Sequence, residues 1–145
     1  MPIILFFPIF LVKVQIMTKT INLNSKFNIF TDYWSPKVIA EMNDYQFKLV
    51  KIKGEFIKHQ HSDTDEVFIV IEGKMNIEFE SHTTQVKRGE MIVVPKGVMH
   101  KPFAKKECKV MLVEPRGVLN TGDTKGDMTA PNNRMDLKLI KNIIF

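Results

Sequence analysis

His59-Gln60-His61-Ser62-Asp63-Thr64-Asp65-Glu66, running on into Val67-Phe68-Ile69-Val70-Ile71-Glu72-Gly73, is the stretch on which the fold turns. Two histidines stand at i and i+2, a spacing that puts both side chains on one face of an extended strand. The polar run 62–65 reads as a turn. Glu66 then opens a continuous apolar run that stops at a glycine, the pattern of a short buried strand. By itself the His-x-His pair is weak, because two polar residues on a solvated strand would look the same.

Working outward, the strand pattern holds from residue 45 to 115. Gln46 to Gly54 alternates, with one slip at Leu49-Val50 that reads as a β-bulge. Met75, Ile77 and Phe79 alternate with Asn76, Glu78 and Glu80, a half-buried strand. Turns are expected at Ser81-His82-Thr83, Arg88-Gly89-Glu90 and Pro95-Lys96-Gly97. Met91 to Val94 and Lys109 to Glu114 are the remaining strands. Turn signals at such short intervals indicate an all-β sandwich or barrel, with no βαβ units and no internal repeat.

His100 follows the Pro95–Gly97 bend, which would aim it inward from a neighbouring strand. With His59, His61 and Glu66 it makes three imidazoles and one carboxylate. Such a mixed nitrogen and oxygen set suits one divalent transition metal (Mn, Fe, Ni, Co, Cu or Zn) better than Ca or Mg. Four protein ligands leave one or two positions open on a five- or six-coordinate ion, as a catalytic or ligand-binding metal requires.

Two segments resemble the paired motifs of the cupin superfamily. Gly54 to Gly73 resembles the first, G-x5-H-x-H-x3-4-E-x6-G. Gly89-Glu-Met-Ile-Val-Val-Pro95-Lys-Gly97-Val-Met-His100 resembles the second, G-x5-P-x-G-x2-H-x3-N. The short spacing between Gly73 and Gly89 is similar to that of small single-domain bacterial cupins. Two departures stand out: Gly54 comes one residue late, and Ala104 occupies the position of the final Asn. That Asn is not a metal ligand in the family, so the resemblance still implies metal binding on His59, His61, Glu66 and His100. It also implies a cupin jelly-roll β-barrel with an N-terminal arm and a short irregular or helical C-terminal tail. The activities it implies range over oxygenases, decarboxylases, isomerases, storage proteins and ligand-sensing modules, and fold does not choose among them.

The rest of the chain sets bounds. Its 145 residues favour one domain, and 44% hydrophobic with 26% charged residues is ordinary for a soluble globular protein. Residues 1–16 form an apolar extension, PIILFFPIFLV at its centre. It is too short to span a bilayer as a helix, and it lacks the early charge and small-residue site of a signal peptide. Met17 is therefore expected to be the natural start, with a cupin domain over 17–131 (core 45–115) and a tail over 132–145. Residues 18–44 read as an arm in which Phe27, Phe30, Trp34, Val38 and Ile39 pack on the body, with Trp34 a core or interface anchor. Residues 133–145 could form an amphipathic helix with Met135, Leu139 and Ile143 on one face, or a frayed end.

The net charge of +5 comes from scattered Lys with few Arg, which reads as a solvated surface and not a nucleic-acid site. The partners expected are a small-molecule ligand or substrate and a second copy in a homodimer, with no nucleic acid and no membrane. The single cysteine, Cys108, excludes an intrachain disulfide, fits a cytoplasmic setting and reads as a buried small hydrophobe. His82 and Asp123 read as turn residues, Asp123 with the options of capping the barrel mouth or contacting substrate.

Overall fold

The computed structural model describes residues 19–135. The expected extension 1–16 and the tail beyond 135 lie outside the described residues. One five-residue helix, α1 (Leu23–Phe27), precedes eight strands: β1 (Lys37–Met42), β2 (Tyr45–Glu55), β3 (Glu66–Glu72), β4 (Lys74–Glu78), β5 (Thr83–Lys87), β6 (Met91–Val94), β7 (Lys101–Pro115) and β8 (Asn133–Arg134). The fold is the expected all-β jelly roll.

Strand β7 is its spine. It pairs with β2 along most of its length, and its other edge meets β4 at residues 101–103 and β3 at 109–113. All these pairings are antiparallel, so one long strand joins both walls of the barrel. Outside the exposed stretch 105–107, even-numbered residues of β7 face inward, and the same parity brings Val50 and Ile52 of β2 and Phe68 and Val70 of β3 into one buried cluster.

The slip at Leu49-Val50 is not a bulge. The β2–β7 register runs unbroken through both residues and shifts only between Ile52 and Gly54. Consecutive apolar residues occur there because β2 is buried on both faces. Val50 faces the barrel interior, and Leu49 packs outward with Phe27, Phe30, Ile39 and Met135. That second cluster is where the arm docks. The helix α1 went unread in the sequence; Asn22 caps it by accepting a 2.9 Å hydrogen bond from the Ser25 amide. The tail begins as a strand and not as a helix, β8 pairing in parallel with Lys37 and Val38.

Strand β7 is also longer than its sequence suggests. Residues 105–107 form an exposed bulge in which Lys105, Lys106 and Glu107 stand opposite the single Lys53 between the Ile52–Cys108 and Gly54–Ala104 pairs. The turn at Gly73 tucks beneath it. Gly73 has φ +87, and a Cβ there would lie 3.0 Å from the Glu107 carbonyl oxygen, so both backbone and space select glycine. Cys108, just past the bulge, is fully buried; burial pushes its thiol up to about 12, as expected of a structural cysteine.

Candidate metal centre

Four side chains from three places in the chain meet inside the barrel. Glu66 is the first residue of β3. His59 forms a single antiparallel bridge with His100, each donating its backbone N–H to the other's carbonyl at 2.9 Å. His61 follows two residues on, and its carbonyl accepts from the Gly97 amide at 2.8 Å, which ties the Pro95–Gly97 bend to the histidine segment. All four residues are buried, and one ligand atom from each lies within 4.8 Å of the others. Donors held ~2.1 Å from one ion are ~3–4 Å apart, so the spacing fits a single cation.

The hydrogen bonds set the tautomers. His59 Nδ1 lies 3.0 Å from the Ile57 carbonyl and His100 Nδ1 2.9 Å from the Val98 carbonyl. A carbonyl only accepts, so both Nδ1 atoms carry the proton and each neutral ring offers a lone pair at Nε2. Backbone partners of this kind orient metal-ligating imidazoles. The Glu66 Oε2 atom lies 3.1 Å from both His61 Nε2 and His100 Nε2. With its proton on Nδ1, His100 presents a lone pair to the carboxylate, so the 3.1 Å approach of two acceptors calls for a proton or a cation between them; the His61 contact is close but poorly directed. His59 Nε2 and His61 Nε2 are therefore buried without a hydrogen-bond partner among the described residues. Two orphaned buried imidazole nitrogens aimed at one point are costly unless something binds them, and a divalent cation is what this donor set fits.

Electrostatics agree. Burial lowers the His59 pKa to about 4, with His100 adding to the effect, so His59 is neutral as a ligand must be. Burial opposes ionisation of Glu66, but His100 and His61 outweigh it and hold the carboxyl below its usual range. Burial also disfavours the His61 cation, yet Glu66, with Glu114 and Asp123 further off, raises its pKa above the ordinary value. The His59 shift has a consequence for the metal-free protein. Its folded pKa lies below the unfolded 6.5, so the unfolded chain takes up the proton first, and His59 lowers stability as pH falls from 6.5 toward 4. Urea unfolding of chelated protein at about pH 7.5 and about pH 5 should lose on the order of 2 kcal/mol more in the parent than in His59→Asn; equal slopes would contradict this.

Asp123 is exposed and braces the centre. It binds Ser62 through both carboxylate oxygens, and its amide donates to the Gln60 carbonyl at 3.0 Å. Gly122 beside it lies against the histidine segment, where a Cβ would be 2.1 Å from Gln60 O and 3.1 Å from His61 Nδ1. The segment 119–123 thus clamps His61 in place. Gly122→Ala should push the two segments apart and weaken metal binding roughly 10- to 100-fold in a protein that still folds, as disrupted ligand support does; a competition titration with a chromophoric chelator reads it.

A cavity of about 30 Å³ adjoins the centre, with Trp34, Phe56, Phe68 and Asn120 in its wall beside His59 and Glu66. Trp34 stacks on Phe56 at 4.7 Å and donates its indole N–H to the Lys53 carbonyl at 2.9 Å. It is an anchor of its own chain. Sequence reading missed Lys48 and Glu114, a fully buried ion pair 2.7 Å apart in the barrel. Their parity was the signal: Lys48 shares the inward face of Val50 and Ile52, and Glu114 that of Val110 and Leu112. His82, by contrast, is exposed as expected, bonded to Ser81 and stacked on Phe79.

The family model described as "Cupin domain" matches residues 48–114. A solved cupin-2 domain containing protein from Shewanella frigidimarina is 61% identical, with a TM-score of 0.68 over 70% of this chain and 99% of that one. The chain belongs to the cupin family. A second solved structure, a protein of Neisseria meningitidis, is 36% identical to this cupin over 67% of its length and 99% of the other chain, with a TM-score of 0.62. Protein YdbB of Bacillus subtilis is 36% identical over 59% of this cupin and 76% of its own length. Among the described residues of this cupin, no helix is long and apolar enough to cross a membrane.

Proposed function

We propose that this cupin binds one divalent transition metal on His59, His61, Glu66 and His100 and is a metal-dependent enzyme acting on a small polar organic molecule, of oxygenase, decarboxylase or isomerase type. The observation that carries the reading is the pair of buried, unpartnered Nε2 atoms of His59 and His61 beside the Glu66 carboxylate. A bound metal would supply Lewis acidity toward a substrate oxygen or, if Fe or Mn, redox chemistry. The chain's own contribution is orientation and exclusion of water. The Ile57 and Val98 carbonyls hold the imidazoles, and Trp34, Phe56 and Phe68 keep the adjoining space apolar. Asn120 in its wall donates to the Trp34 and Met128 carbonyls at 2.9 Å, which ties three segments together beside the centre.

A second reading is a non-catalytic small-molecule-binding or sensing module. It is favoured by the cavity wall, which apart from His59 and Glu66 contains no titratable side chain to move protons. Metal analysis of protein purified without chelators, followed by screens of oxygen uptake and of small-acid and sugar turnover, separates the two. Stoichiometric metal and a turnover lost in His59→Ala support the enzyme. Metal with ligand-induced thermal shifts and no turnover supports the module, and the absence of metal overturns both.

Assembly as a cytoplasmic homodimer completes the proposal. Among the described residues, strand β6 pairs with β3 alone, and it exposes Met91 and Val93 (57% and 48%), an apolar edge suited to a second copy. A monomeric mass by light scattering would refute the dimer.

A further inference from the structure

On the outer face of the β5–β4–β7 sheet lies an open groove of about 810 Å³, within the size range of small-molecule clefts. It is separate from the metal centre, whose residues face the barrel interior. Asn76, Gln85 and Phe103 line it with five cations, Lys74, Lys87, Arg88, Lys105 and Lys106, and one carboxylate, Glu107.

The arrangement opposes the protein's own stability. Lys74 and Lys87 are directly opposite each other in the β4–β5 register, where like charges repel. The bulge at 105–107 turns two more ammonium groups out beside them. None of the nearby carboxylates among the described residues pairs with these lysines, the lining Glu107 included. Glu107 accepts from the Tyr33 hydroxyl at 2.9 Å, Glu90 from the Lys87 amide at 2.7 Å, and Glu72 pairs with Lys109 at 2.9 Å. Glu72 also feels Arg88 at longer range. Among the described residues, Lys74, Lys87, Lys105 and Lys106 form no ion pair, as is true of most lysines outside the groove; what sets these four apart is that they share one concavity.

We infer that this groove is a binding site for a compact polyanion, a small molecule carrying two or more phosphate-like groups. Lysines serve as point charges for phosphate, and the lining amides Asn76 and Gln85 add neutral donors. Three features argue against a nucleic-acid strand as the occupant. The cations surround one concavity and do not track a line, only one is Arg, and Phe103 is the single aromatic platform.

The test is calorimetric titration of the full chain with tripolyphosphate at low salt, before and after chelation of metal. Saturable 1:1 binding is expected. It should weaken at least about 10-fold in Lys74→Gln/Lys87→Gln, weaken with added salt, and stay unchanged after chelation and in the charge-matched Lys19→Gln/Lys26→Gln. Four results would overturn the inference: no saturable binding, equal affinity in the groove variant, loss of binding on chelation, or a single-stranded RNA oligomer bound more tightly than tripolyphosphate. None depends on the metal centre being catalytic.

Discussion

In His100→Ala the melting temperature is expected to lose its response to divalent metal, whereas the parent protein rises by on the order of 10 °C. A ligand that binds only the folded chain stabilises it by about 4 kcal/mol at 1,000 times its Kd, and for a domain of this size each kcal/mol is worth roughly 2–4 °C. His100 is the informative ligand to remove. Its ring meets the Glu66 carboxylate at 3.1 Å, while its part in the bridge to His59 is made by backbone atoms that alanine keeps. The variant should therefore fold and lose some intrinsic stability through the void. The decisive quantity is the metal-dependent increment, read by differential scanning fluorimetry across Mn, Fe, Co, Ni, Cu and Zn. His82→Ala, altering an exposed imidazole, should keep the full increment. Equal increments in His100→Ala and the parent would show that metal binds elsewhere.

The second large effect concerns the buried pair behind the centre. Lys48 donates to Glu114 at 2.7 Å and to the Val118 carbonyl at 2.8 Å, with both side chains almost wholly buried. Lys48→Met removes the cation and leaves a carboxylate in an apolar barrel beside Glu66. Breaking a buried pair from one side costs about 3–5 kcal/mol while the carboxylate stays ionised, which chemical denaturation in alkaline solution, below the lysine range, would read directly. Replacing both members, as Lys48→Met/Glu114→Leu, should recover most of that loss, because the desolvated charge goes too. Burial, with Glu66 next, already raises the Glu114 pKa despite Lys48. A raised folded pKa means that the folded state gains protons first, so acidification relieves the strain. The deficit of Lys48→Met should be largest in alkaline solution and shrink as pH falls toward about 7, levelling off once Glu114 is protonated in both proteins. A deficit that grows on acidification would place the cost elsewhere.

Much of this was legible along the chain. Alternation in Met75, Ile77 and Phe79 marked β4, glycines and prolines marked the turns, and Glu66 opened β3 as expected. His59, His61, Glu66 and His100, which the structure brings within 4.8 Å of one another, stood out because their types are scarce and their spacing is tight. The misreadings share one cause: the environment on the second side of a strand is invisible to a one-dimensional pattern. Leu49-Val50 looked like a slip because the covering arm cannot be seen from β2 alone. The front half of β7 went unassigned because its bulge breaks the alternation with three exposed residues.

By itself, then, the order of residues determined an all-β chain, its turns and the membership of the four-residue centre, because strand period and turn chemistry are local properties. Only the tertiary structure decided which nitrogen of each histidine is free, that Gly122 presses on His61, that Lys48 meets Glu114, and that unpaired lysines from three strands surround one groove. Those outcomes depend on the register between strands distant in sequence. One residue of slip would turn every one of these side chains to the opposite face.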